Sequence, residues 1–301
     1  MMREIQGLIF TLDETATHDG PGLRMTVYLK GCPLKCLWCH SPESVSPKQE
    51  VVWYQTKCIQ CGKCVEVCPE KLRSSLPITP KNRSNCRRCR LCVKKCPQGA
   101  LEVKGESVCA GEIVDHAKQL IPFFRRSGGG ITLTGGEPTL QVDFAYAILE
   151  LCRQAGIHNA LETCGYASWE KFEKLASVTD LFLFDFKHPD EELHKRYTGV
   201  SNKLILSNLA KLIKLGTELI VRVPLIPKCN DSPSTVKAIG RKAMELGAYR
   251  ISLLPFNPAS AGKYSWLHRP YPLNDVKRQN DEYVAELEKM LSAEGLEVIP
   301  P

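Results

Sequence analysis

The apolar and polar positions divide the 301-residue chain into three regions. From residue 109 onward, apolar residues recur at three- and four-residue spacing over about 112–126, 142–155, 168–177, 202–215, 233–246 and 274–293. That period predicts helices. Short apolar runs lie between them: ITLTGG (131–136), NALETCG (159–165), LFLFDFK (181–187), LIVRVPL (219–225) and RISLLPF (250–256). With RMTVYLK (24–30) near the N-terminus, these make about six strand–helix units. Such alternation predicts a parallel sheet covered by helices. The predicted fold is α/β: a partial (β/α)6 TIM-like barrel built from residues 1–47 and 109–301. The amphipathic helix 274–293 reads as a C-terminal cover for that barrel. SGGG (127–130) reads as a helix stop and flexible link. Residues 48–108 interrupt the barrel and are Cys-rich, Pro-punctuated and short of long periodic elements.

Composition narrows the setting. Hydrophobic content of 43% and charged content of 24% are those of a globular protein in water. The start, MMREIQGLIF, meets a charge at once and lacks the apolar core of a signal peptide. No uncharged apolar run approaches the roughly 18 residues of a membrane span. The expected location is the cytoplasm, with no membrane partner. Fifteen cysteines are many for that compartment, where disulfides are rare, so metal or redox chemistry is expected. Eleven fall between Cys32 and Cys96. The other four, Cys109, Cys152, Cys164 and Cys229, read as ordinary buried or semi-buried thiols.

The interrupting region repeats itself. CIQCGKCVEVCP (58–69) and CRRCRLCVKKCP (86–97) share C-x2-C-x2-C-x3-C-P. In this bacterial ferredoxin run the fourth cysteine ligates the other cluster. The expected ligand sets are Cys58, Cys61, Cys64 and Cys96 for one [4Fe–4S] cluster, and Cys86, Cys89, Cys92 and Cys68 for its neighbour. Residues 48–108 therefore read as an inserted ferredoxin-like two-cluster domain. The alternative is a pair of zinc knuckles.

A third group, Cys32, Cys36 and Cys39, stops at three. Three thiolates on a four-iron cluster leave one iron open to a substrate or cofactor, as a catalytic zinc keeps an open position. A three-Cys zinc site completed by His40 is the other reading. LTGGEP (133–138) ends a predicted strand. Its glycines, Gly135 and Gly136, allow close backbone approach to a ligand, and Glu137 offers a carboxylate.

C-x3-C-x2-C directly after the first strand resembles the radical S-adenosylmethionine (SAM) superfamily, and GGEP resembles its SAM-ammonium motif. The narrower resemblance covers essentially the whole chain. HDGPGLR (18–24) and LFDFK (183–187) are similar to segments of glycyl radical enzyme activating enzymes, of the longer type with an inserted two-cluster module. The resemblance implies three [4Fe–4S] clusters, SAM, and hydrogen abstraction from one glycine of a partner glycyl radical enzyme. It implies catalytic roles for Cys32, Cys36, Cys39, Asp19 and Lys187, with Asp19 contacting the target glycine loop. It implies cofactor contacts for Trp38, His40, Gly135, Gly136, Glu137, Asp185, Lys187, Arg222 and Asn257. Asn257 stands where pyruvate formate-lyase activase has histidine. Glu162 and Thr163 match an Asp-Thr pair that holds a monovalent cation with the equivalent of Asp185.

The formal charge of +7 counts cysteines as neutral, and three bound clusters would bring it to about +2. No nucleic-acid partner is expected. The implied electron donor is flavodoxin or ferredoxin, and the expected state is a monomer. Lys81–Lys95 carries seven basic and no acidic residues, either as compensation for an anionic cluster or as a docking face for an acidic donor. The weakest expectation is an aromatic-substrate partner, such as an arylacetate decarboxylase. Two rival functions stand: a radical SAM enzyme with auxiliary clusters acting on a peptide or small molecule, and a ferredoxin-like electron carrier.

Overall fold

The computed structural model describes residues 1–72 and 85–300. Its strands are β1 (Gln6–Ala16), β2 (Arg24–Leu29), β3 (Glu50–Trp53), β4 (Leu101–Lys104), β5 (Glu106–Cys109), β6 (Gly130–Gly135), β7 (Asn159–Thr163), β8 (Leu181–Asp185), β9 (Leu219–Leu225), β10 (Arg250–Pro255) and β11 (Glu297–Val298). The main sheet runs β11-β10-β9-β8-β7-β6-β2-β1-β5. From β2 to β11 every pairing is parallel. The six strands from β2 to β10 are those the apolar runs predict.

Two strands at the other end were hidden by their sequence. β1 is antiparallel to β2, because Gly20 and Gly22, at φ 114° and 70°, turn the chain back. β5 was expected inside the inserted region, yet it pairs with β1 over Gln6–Ile9. Three helical expectations also change. The helix at 112–126 is two, Ala110–Gln119 and Ile121–Ser127, because Pro122 has no N–H to continue the ladder. The last helix begins at Asp281, where Asn280 accepts from the Tyr283 amide. A further helix, Glu191–Thr198, is capped by Asp190 and closed by Gly199 at φ 86°.

Alternation along the strands decides which residues reach the barrel interior. Phe182 and Phe184 belong to the main core beneath the helices. Ala160, Leu181, Leu183 and Ile220 form a separate interior cluster. Two residues further along, the same faces carry Glu162, Asp185 and Arg222 at the C-terminal strand ends, where parallel α/β folds place their chemistry.

β3 and β4 form a two-stranded sheet of their own. Arg269 holds it to the barrel, donating to Glu50 at 3.0 Å and to the Pro42 carbonyl at 3.0 Å. Tyr54 packs edge-on against Trp266, with ring centroids 5.0 Å apart. No helix among the described residues is long and apolar enough to cross a membrane.

Candidate active site

The three-Cys loop follows β2. Gly31 and Cys32 donate to the Ser44 and Val45 carbonyls at 2.6 and 3.1 Å, closing the loop on itself. Lys35 and Leu37 donate to the carbonyls of Thr198 and Tyr197, pinning its rim. Burial pushes the Cys39 thiol up to about 12 and raises the Cys36 thiol well above its ordinary value. The Cys32 thiol is lowered, first by a hydrogen bond with Cys164. Cys164 is buried in the site and also meets Glu137. Its lone spacing had marked it as an ordinary thiol, and only the fold brings it here.

The GGEP turn is built by close contact. A Cβ on Gly136 would lie 2.0 Å from the Gly31 carbonyl oxygen, and Gly135 stands at φ 104°. The Glu137 carboxylate is fully buried and turned inward. It accepts from the amides of Thr139 (3.2 Å) and Cys164 (2.8 Å) and from the Thr163 hydroxyl (2.9 Å). Its contacts tie the end of β6 to the end of β7.

SGGG supports the site more firmly than a flexible link would. A Cβ on Gly129 would fall 1.8 Å from the Leu23 carbonyl oxygen, and Ser127 Oγ accepts from the Leu23 amide at 3.0 Å. Buried Arg24 holds the same turn through Thr132 and the Pro21 carbonyl. Thr132 in turn donates to the Asp19 carbonyl at 2.7 Å. Asp19 is thereby fixed at the mouth.

Three carboxylates surround one guanidinium at the interior strand ends. Arg222 lies 3.1 Å from Glu162 and 4.0 Å from Asp19. Burial raises Glu162 to about 7, and Arg222 opposes the rise. Burial alone would lower Arg222, yet Glu162, Asp185 and Asp19 outweigh it and keep it charged. Lys187 donates to Asp185 Oδ2 at 2.6 Å. Against its burial, Asp185 and Cys36 hold Lys187 protonated. Asp185 Oδ1 is buried and accepts no hydrogen bond.

Other expected residues stand apart. Trp38 is buried against Ile226, Phe256 and Cys36. His40 is exposed and lines an outer cleft. Asn257 is exposed and accepts from the Ala259 amide, outside the buried set.

The inserted region has two thiol-lined pockets. One gathers Cys58, Cys61, Cys64 and Cys96. The other gathers Cys68, Cys86, Cys89 and Cys92. Both runs bend alike: Gln60 and Gly62 in one, Arg88 and Arg90 in the other, take φ between 56° and 73°. Two such residues at each pocket, three of the four non-glycine, turn the backbone sharply. Among the described residues no three His, Cys, Asp or Glu side chains are grouped to chelate a single metal ion. In the basic stretch, Lys81 and Arg83 lie outside the described residues. Arg87 pairs with Glu70, and Arg88 donates to the Gln49 carbonyl at 3.0 Å.

Comparison with known proteins decides the family. The radical SAM superfamily profile matches residues 78–237, and a 4Fe–4S binding domain matches 51–71. The (2S)-3-sulfopropanediol dehydratase activating enzyme of Klebsiella oxytoca is 38% identical over 97% of this chain and 96% of its own. The chain is a radical SAM activating enzyme, of the glycyl radical type. The trans-4-hydroxy-L-proline dehydratase activating enzyme of Clostridioides difficile is 38% identical, over 95% of this chain and 96% of its own. The choline trimethylamine-lyase activating enzyme of Oleidesulfovibrio alaskensis is 39% identical, over 96% and 95%. A radical SAM methyltransferase from Sphaerobacter thermophilus shares the fold, with TM-score 0.50 and 16% identity over 64% of this chain and 56% of its own.

Radical SAM activating enzymes work with 4Fe–4S clusters and SAM, and this site fits both. The three thiols lie close together beside protonated Lys187, whose charge opposes the rise that burial imposes on Cys36 and Cys39. The Gly135–Gly136 backbone leaves no room for a side chain, and Asp185 Oδ1 is an unpaired buried acceptor. The Glu137 carboxylate accepts from the Thr139 and Cys164 amides and so braces the glycine turn.

Proposed function

We propose that this chain installs a glycyl radical on a partner glycyl radical enzyme. Cys32, Cys36 and Cys39 would hold the SAM-binding cluster, and the two four-thiol pockets the auxiliary clusters, three [4Fe–4S] clusters in all. Such a cluster would supply the electron for reductive cleavage of SAM, the source of the radical chemistry that removes the α-hydrogen of a glycine. The chain's own residues bind, orient and enclose. The Gly135–Gly136 backbone and Asp185 meet the amino-acid end of SAM, and Lys187 holds Asp185 in place. Arg222 offsets part of the negative charge of Glu162 and Asp19 and opposes the protonation that burial imposes on Glu162. A monovalent cation would sit beside Asp185 and Thr163. Here Glu162 is drawn to Arg222, which leaves Asp185 Oδ1 as the acceptor offered to it.

The observation that carries this reading is the cluster of three thiols, Cys32, Cys36 and Cys39, beside Lys187 and the Glu137 of the GGEP turn. A closed four-ligand electron carrier needs neither. Flavodoxin or ferredoxin would deliver the electron at the inserted module. Two arginines of the basic stretch already serve the module's own structure, which leaves Arg90, Lys94 and Lys95 among the described residues to meet a donor. The test is anaerobic: reconstitute with iron and sulfide, reduce, add SAM and quantify 5′-deoxyadenosine against Cys36→Ala. Glycyl radical signals are then sought with the dehydratases and lyases whose activating enzymes are relatives. Product in the wild type alone supports the reading, and a full cluster load without product refutes it.

A further inference from the structure

The outer edge of β1 is only half covered. Its inner edge pairs with β2 from Ile9 to Ala16. Its outer edge pairs with β5 over Gln6–Ile9 and, among the described residues, with no strand beyond that. Thr11, Asp13, Glu14 and Thr15 are exposed. Six residues without a strand partner on this side, Phe10–Thr15, span about 20 Å at strand rise; within them the Thr15 amide donates to Asp13 Oδ1 at 2.9 Å and Glu14 meets His116 at 2.9 Å. Proteins usually blunt such edges, because unpaired N–H and C=O groups recruit other chains. The sheet's opposite edge is a strand of two residues.

This bare edge forms one wall of a cleft of about 640 Å³. Tyr28, His40, Lys104, Lys263 and Trp266 line it as well. The cleft leads inward. Tyr28 is the register partner of Thr11, and its hydroxyl donates to Asp19 at 3.1 Å. Asp19 in turn faces Arg222. A strand edge outside and a reaction site inside are thus joined through one tyrosine.

We infer that the Phe10–Thr15 edge takes the glycine-bearing segment of the partner as an added strand, delivering its glycine past Tyr28 to Asp19. The inference rests on the activating-enzyme reading and names how its protein substrate docks. A target glycine has no side chain to recognise, so its segment must be read through its main chain. Strand addition does that: main-chain hydrogen bonds give affinity, and the walls read the neighbouring side chains. The segment must be extended and about six residues long, which excludes a helix from the same cleft. Asp13 and Glu14, with the register shifts at Ile9/Thr11 and Asp13/Ala16, guard the edge against pairing with a second copy while leaving it open.

Hydrogen–deuterium exchange tests this on the reconstituted protein with SAM bound. The probe is a soluble glycine-centred peptide with Ser and Thr neighbours, at millimolar concentration. Its control is the same peptide N-methylated at alternate residues. The expected result is amide exchange slowed several-fold over residues 10–15 by the first peptide and unchanged by the second. Unchanged exchange with both, or equal slowing by both, overturns strand addition. Formation of 5′-deoxyadenosine without peptide reports on the radical SAM reading alone, so the two failures are distinguishable.

Discussion

Cysteine occurs here in two settings built from nearly the same motif. In the inserted module, C-x2-C-x2-C runs wrap two pockets close to the surface, and Cys61 and Cys89 are exposed. Sharply turned backbone does most of the wrapping, at Gln60 and Gly62 and again at Arg88 and Arg90. In the barrel, Cys36 and Cys39 are half-buried, and around them stand Lys187, Asp185 and the glycine turn braced by Glu137. The difference teaches that the thiols set what can be bound, while the wall sets whether anything can be done with it. A closed four-thiol pocket at the surface suits electron passage. A three-thiol pocket facing an orphan carboxylate oxygen and a side-chain-free turn suits a second ligand.

The largest expected effect breaks the two settings apart directly. Cys36→Ala should reduce 5′-deoxyadenosine formation with dithionite to background. Cys61→Ala, at the exposed module pocket, should keep most of it, since a chemical reductant can reach the site without the module. Equal loss in both variants, at equal iron loading of the site cluster, would erase the distinction. Next comes a pair of glycines. Gly136→Ala drives a Cβ to 2.0 Å from the Gly31 carbonyl oxygen and must shift the three-Cys loop. A displacement of about 1 Å at a reacting centre can cost on the order of 100-fold in rate. Gly62→Ala in the module meets nothing within 4 Å and has only its φ of 73° to bear, about 1 kcal/mol. Steady-state SAM cleavage for both variants measures the contrast.

Sequence reasoning saw the module's two runs and the six parallel strands because both are local. LFLFDFK shows its strand by apolar continuity, and its Asp185 and Lys187 lie two apart, on one face. What it missed depends on pairing between distant segments. The β1–β5 pairing joins residues about a hundred positions apart. The inward turn of Glu137 depends on β6 and β7 lying side by side, which brings the Cys164 amide to it. Nothing in the spacing of Cys164 distinguishes it from Cys152, yet one sits beside Cys32 and the other in the helical core. Asn257, which stands where pyruvate formate-lyase activase has histidine, lies in an exposed turn.

Smaller effects sharpen the comparison at the seam between the settings. Arg269→Ala removes the donor to Glu50 and to the Pro42 carbonyl. A hydrogen bond to a charged group is worth about 1.5–3 kcal/mol. The module should loosen, so limited proteolysis near residues 48 and 105 should quicken. Dithionite-driven SAM cleavage should change by less than about twofold, since the buried wall is untouched. A larger loss would mean that the module shapes the site itself.

The smallest effect concerns Glu162 and belongs to the barrel wall alone. Burial, with Asp185 and Asp19 nearby, lifts its carboxyl from 4.5 to about 7 despite Arg222. The folded protein therefore holds a proton that the unfolded chain releases at lower pH. Stability from this group is present below about 4.5 and is lost as pH rises through the window to about 7. Glu162→Gln cannot titrate. Relative to wild type, the variant should gain in melting temperature as pH rises through that window, and the difference should level off above it. Measured without reconstitution, the comparison isolates the carboxylate row from the clusters. A difference that stays flat with pH would show that Arg222 holds Glu162 ionised throughout, and that the wall around the three-Cys pocket carries one more negative charge at neutral pH than its burial allows.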